Sequence, residues 1–161
     1  MSVSGEIANF SVNFRGLFLR GIPCLLNDVG AYLAFGCIFS GTEALAGYRY
    51  PNVRENGVKF KSFLVDYFVA PYHHLASELW DLRNSLIHGF SPKHFALCHG
   101  RPKTHLTDRP PYTKVLNVES FFHDFSVSAE KYLSSLASDA QVQADFQRHL
   151  GSAKGGGLYV G

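Results

Sequence analysis

A chain of 161 residues is long enough to bury a core without disulfides or a structural metal, and one domain over residues 1–150 is the default organisation. With 46% hydrophobic and only 17% charged residues, and with Phe (14) and Tyr (8) abundant, the composition suits packing and association and excludes intrinsic disorder. A formal net charge of +2, which 8 His residues can shift, neither demands nor excludes a nucleic-acid partner, so local charge has to decide.

Ile7, Phe10, Phe14, Leu17 and Phe18 recur at helical spacing until Gly21-Ile22-Pro23, which predicts a first helix over residues 4–20. Asn27 or Asp28 is placed to cap a second helix running to about Gly47, with Gly36, Ser40, Ala44 and Gly47 as a small-residue row that lets another helix approach. After a loop at Pro51 and Asn56-Gly57, Phe60, Phe63, Leu64, Tyr67 and Phe68 predict a third helix ending before Pro71. Tyr72, Leu75, Leu79, Leu82 and Leu86 trace the apolar face of a fourth, over residues 72–89. Residues 91–117 hold Pro92, Gly100, Pro102, Pro110 and Pro111; short runs at His94–Cys98 and Tyr112–Leu116 suggest a small β-hairpin or loop excursion. Asn117 precedes a fifth helix, a short sixth spans residues 139–150, and residues 151–161 read as a Gly-rich flexible tail. The expected fold class is all-α, a bundle of five to six helices.

On the fourth helix, at about 100° per residue, Arg83 lies at the margin of the apolar stripe. Trp80 and Ile87 follow, then Asn84 and His88 one turn apart, with Asp81 and Ser85 on the wet side. This second patch mixes large apolar groups with Arg, Asn and His, which suits an interface or a site. A guanidinium grips a phosphate at two points, an imidazole moves protons near neutral pH, and an amide orients either. The same residues also fit a structural role, with Arg83 on a carboxylate and His88 closing the last helical turn.

The phrase LWDLRNSLIHGFSP, with Arg83, Asn84, three intervening residues and then His88 near a helix end, resembles the signature of the HEPN superfamily, small helical domains found in RNase toxins and CRISPR-associated ribonucleases. The segment FGCIFSGTEALAG followed by a Phe-rich helix also fits, so the resemblance covers residues 28–150. It implies a homodimer with two motifs facing one cleft and metal-independent cleavage of single-stranded RNA. Arg83 and His88 would be essential, Asn84 polar support, and Trp80 and Ile87 would border the dimer contact. It further implies a setting in toxin-antitoxin systems or antiphage defence, with a cognate antitoxin as partner. Some members carry a Tyr two residues after the His, which a partner modifies; here that position is Phe90, without a hydroxyl. Other members have lost catalysis and bind RNA, a nucleotide or a protein, which is the alternative reading.

Directly after the motif, Lys93, Arg101 and Lys103 lead a basic stretch that ends at Lys114 and holds a single acid, Asp108. It reads as an RNA-binding rim or as a solvated loop. Glu43, in a mostly apolar helix, is expected either to support the site from a neighbouring element or to form a surface ion pair. His94, Cys98, His99 and His105 match no common zinc spacing, and neither metal nor cofactor is expected. Three cysteines without a C-x-x-C pair, together with an opening segment unlike a signal peptide, point to the reducing cytoplasm. The most apolar run, Val29–Gly41, is too short to span a bilayer, so no membrane partner is expected.

Overall fold

The computed structural model describes residues 2–152. Among these, six α-helices follow in chain order: α1 Val3–Phe14, α2 Ala31–Arg49, α3 Asn56–Tyr67, α4 Ala76–Gly89, α5 Val118–Ser138 and α6 Ala140–Ser152. Two short strands, β1 Phe95–Cys98 and β2 Lys114–Asn117, lie between α4 and α5. The protein is mostly helical as expected, with a small sheet added. None of these helices is long and apolar enough to cross a membrane.

The other helices gather on α2. Its Ala34, Phe35, Ile38, Phe39, Leu45 and Ala46 are buried, and α3, α4, α5 and α6 all pack against it. Phe39 meets Phe60 of α3 at 6.1 Å between ring centroids and Phe121 of α5 at 5.4 Å. Each ring buried this way contributes roughly 1.5–3 kcal/mol. Gly41 makes room for the Phe125 ring of α5: a Cβ there would stand 2.6 Å from Phe125 Cζ, so any larger residue obliges that ring to move.

Local chemistry sets the helix ends. The Gly5 N–H donates to Ser2 Oγ (3.2 Å) at the start of α1. The single helix expected over residues 4–20 is α1 running into a π-helical turn, Arg15–Leu19, which Arg15 ties to Glu130 of α5 with bonds of 2.8 and 2.7 Å. Asn27 Oδ1 accepts from the N–H groups of Val29 (3.1 Å) and Gly30 (2.9 Å), ordering the approach to α2, whereas Asp28 turns to His99. Asn117, fully buried, accepts from the Ser120 N–H (3.0 Å) and caps α5.

Two expectations need correction. The fourth helix begins at Ala76, not Tyr72, because Pro71 sits in a 3-10 turn, Ala70–Tyr72, after which the His73 ring reaches the Phe68 carbonyl (3.0 Å). Tyr72, Leu75, Leu79, Leu82 and Leu86 are nevertheless all buried. The strands are parallel, Phe95 against Lys114 through Cys98 against Asn117, so they are no hairpin. Parallel pairing requires a crossover, and residues 99–113 supply it. They pass through a 3-10 turn at Pro102–Thr104 and lay Leu106 and Thr107 along β2: Leu106 N–H donates to Val115 O (2.8 Å) and Val115 N–H to Thr107 O (3.0 Å). In the expected tail, Gly151 and Ser152 end α6, and residues 153–161 lie outside the described residues.

A side-chain network pins this crossover to the bundle. His105 Nδ1 accepts the Asn117 N–H (3.1 Å), which leaves the proton on Nε2 to point at the Tyr72 hydroxyl (2.7 Å); that hydroxyl donates in turn to Asp124 (2.7 Å). Burial by itself would raise the Asp124 carboxyl, but the nearby His105 imidazole (Nε2 at 3.7 Å), the hydrogen bond from Tyr72 and the nearby His123 outweigh it and hold the group below the ordinary carboxylate range. A carboxyl lowered on folding adds stability that is complete above its unfolded value of about 4 and is lost as pH falls through the folded value. Urea titrations should therefore show Asp124→Ala losing about 2 kcal/mol at neutral pH. Asp124→Asn should show a flatter decline of stability on acidification than the parent. An unchanged decline would mean that the network carries no linked proton.

Candidate functional site

The guanidinium of Arg83 sits where α4 crosses α2. Its Nη2 donates to Glu43 Oε2 of α2 (2.5 Å) and its Nη1 to Asn84 Oδ1 (3.0 Å), with the two ion-pair side chains about one-fifth exposed. On the remaining side the cation lies 5.3 Å over the Trp80 ring, and its Nε is buried without a partner among the described residues. Trp80 is itself held within the protomer: it packs on Phe60 (5.5 Å) and against Gly57, where a Cβ would come within 2.9 Å of the indole. Glu43 thus supports Arg83 from the neighbouring helix, by an ion pair that uses only part of the guanidinium's donor set.

His88 stands one turn beyond Asn84, exposed and without a hydrogen-bond partner among the described residues. Ile87 beside it is 43% exposed and Phe90 is 77% exposed. Ser85, expected on the wet side, is buried instead, its hydroxyl donating to the Ser91 and Leu82 carbonyls (2.7 and 3.0 Å), because the chain folds back over the helix end at that point. Phe90 makes the reversal in the left-handed conformation (φ 50), donating its N–H to the Ser85 carbonyl, and its ring stacks on Tyr32 at 6.0 Å. Glycine is the residue that adopts this backbone without strain. Ile87, Phe90 and Leu86 line an apolar cleft of about 720 Å³ with Leu33, Gly36 and Ser40 of α2. No atom lies within 4 Å of a Cβ placed at Gly36, so the small-residue row there is open to the outside.

Lys93 before β1 and Arg101 and Lys103 on the crossover are all exposed, and Arg101 borders a separate cleft beside the strands. Histidines and cysteine in this segment do not converge. His105 faces Tyr72 and Asp124, His99 lies between Asp28 (2.9 Å) and Glu119 (3.2 Å), and Cys98 faces Thr104. Sequence reasoning missed His149 and Lys59, which share a cleft of about 390 Å³ with Ser40, Glu43 and Asn56. Burial, with Lys59 nearby, pushes the His149 imidazole below its usual value. Its place on α6, far along the chain from the motif, offers no signal in spacing.

Compared with protein-family models, curated proteins and solved structures, the chain has no significant match.

Left-handed backbone at a non-glycine residue costs roughly 1–2 kcal/mol, and an exposed ring recovers little of that by burial. In urea unfolding, Phe90→Gly is expected to hold stability or raise it by up to about 1 kcal/mol. A clear loss would show that Phe90 is retained for folding and not for what its ring meets outside.

Proposed function

We propose that the protein is a HEPN-type endoribonuclease that cuts single-stranded RNA without a metal, through a site completed by a second copy of the chain. One observation carries this reading. Arg83, oriented by Glu43 and Asn84, shares α4 with the exposed His88, and Ile87 and Phe90, close to His88 in the chain, line an apolar cleft left uncovered at Leu33, Ile87 and Phe90. A homodimer closing on that cleft brings two motifs together and covers the exposed apolar residues.

The chemistry needs little beyond these groups. A His88 imidazole takes the proton from the RNA's 2′-OH, the oxygen attacks the adjacent phosphorus, and the bond from phosphorus to the 5′-oxygen breaks as His88 of the second copy returns a proton to it. Arg83, already oriented by Glu43, meets the charge that develops on the phosphoryl oxygens. Such an activity fits a toxin or an antiphage effector in the cytoplasm, held in check by a cognate antitoxin. A second reading, a HEPN-like module that binds RNA, a nucleotide or a protein without cutting, draws on the same pair: Glu43 gives Arg83 a purely structural partner, and no neighbouring side chain orients His88.

Purified protein is expected to cut single-stranded RNA in EDTA and to leave DNA intact. His88→Ala should abolish cutting while RNA binding persists. Arg83→Lys should fail badly, because an ammonium keeps the charge and loses the planar two-point grip. Sedimentation at micromolar concentration should show a dimer that Ile87→Asp disrupts. RNA left equally intact by the parent and His88→Ala, with both binding it, transfers the assignment to the binding module.

A further inference from the structure

The basic crossover is more than a charged rim. Beside the strands it forms a second cleft of about 440 Å³, lined by Arg101, Arg109, Thr104, Tyr112, Pro92 and Tyr32. That volume falls in the range of small-ligand pockets, roughly 300–1,000 Å³. Among the described residues neither Arg101 nor Arg109 has a carboxylate partner, as is also true of Arg20 and Arg54, whereas Arg15, Arg49, Arg83 and Arg148 are each paired. The segment's one acid, Asp108, is taken by Lys114 (2.7 Å). A tight turn sets Tyr112 beside Arg109, with the Tyr112 N–H donating to the Arg109 carbonyl (2.8 Å), and Tyr112 is 41% exposed. Tyr32 supplies a second ring, and its hydroxyl is buried without a partner, a costly state that a bound polar group can relieve.

We propose that this cleft is a nucleotide subsite, taking one base of a single-stranded RNA against Tyr112 and Tyr32 and the flanking phosphates on Arg101 and Arg109. Aromatic walls favour a base over a free anion, since every base offers a face to stack, and paired guanidiniums suit the phosphates on either side. Tyr32 also lines the apolar cleft at the end of α4 and stacks on Phe90, two residues beyond His88. The subsite therefore adjoins the proposed cutting site and would hold the strand running into it. The inference rests on the RNA reading above but not on cleavage.

The test measures fluorescence anisotropy of a labelled oligouridylate, titrated into His88→Ala protein so that the probe stays whole. In that background Tyr112→Ala and Arg109→Ala are each expected to weaken binding about tenfold. Arg109→Ala should also give a shallower dependence on salt. Tyr112→Phe, which keeps the ring, should bind like its parent, with circular dichroism confirming that all variants fold. Binding unchanged in the alanine variants, or Tyr112→Phe as weak as Tyr112→Ala, overturns the subsite, as does a parent that binds no RNA. If the unmutated protein fails to cut RNA while the alanine variants lose binding, cleavage falls and the subsite stands. If cutting holds and these variants bind as before, the subsite falls alone.

Discussion

Burial of α2 is the constraint on which the arrangement depends. Its apolar residues point in several directions, so α3, α4, α5 and α6 all pack around it, and Gly41 makes room for the Phe125 ring of α5. One strip of α2 stays bare, at Leu33, Gly36 and Ser40. Docking α4 beside that strip leaves Ile87 and Phe90 at its edge and brings Arg83 over Glu43. The polar cluster and the apolar cleft are thus two results of one packing choice.

Strain collects in the same neighbourhood. The non-glycine residues with positive φ among those described are Phe90, Lys93 and Leu106, all between the end of α4 and the start of β2. Elsewhere caps, ion pairs and turns satisfy ordinary backbone. A chain under selection for stability alone would place glycine or asparagine at such points. Here large apolar and cationic side chains occupy them, and two of the three are exposed. The same segment holds Arg101 and Arg109, which have no carboxylate partner among the described residues, so free positive charge and backbone strain both occur after the helix end.

Local patterns were legible and long-range pairings were not. Tyr72, Leu75, Leu79, Leu82 and Leu86 read as one buried face because steps of three and four on a helix impose it, even though the helix starts later than the stripe. Asn117, which the sequence places just ahead of the fifth helix, caps it for the same local reason. The direction of β2 was hidden because strand patterning fixes which face is buried and says nothing of parallel or antiparallel order. Ser85 was misjudged because its environment is made by Ser91 after the chain reverses, which helix periodicity does not see. Glu43 offered a choice between supporting the site and a surface pair, and the structure makes it an ion pair to Arg83 itself. The links of Tyr72 with His105 and Asp124 join three segments that only the docking of α5 brings together.

Tyr32 stands between the two clefts, with its ring forming part of the wall of each. A wall shared in this way is a mechanical connection. The Tyr32 ring also stacks on Phe90, which lines the first of the two clefts. Ligands on the two sides would meet the same side chain, and any influence of one on the other would by thermodynamics run equally in both directions.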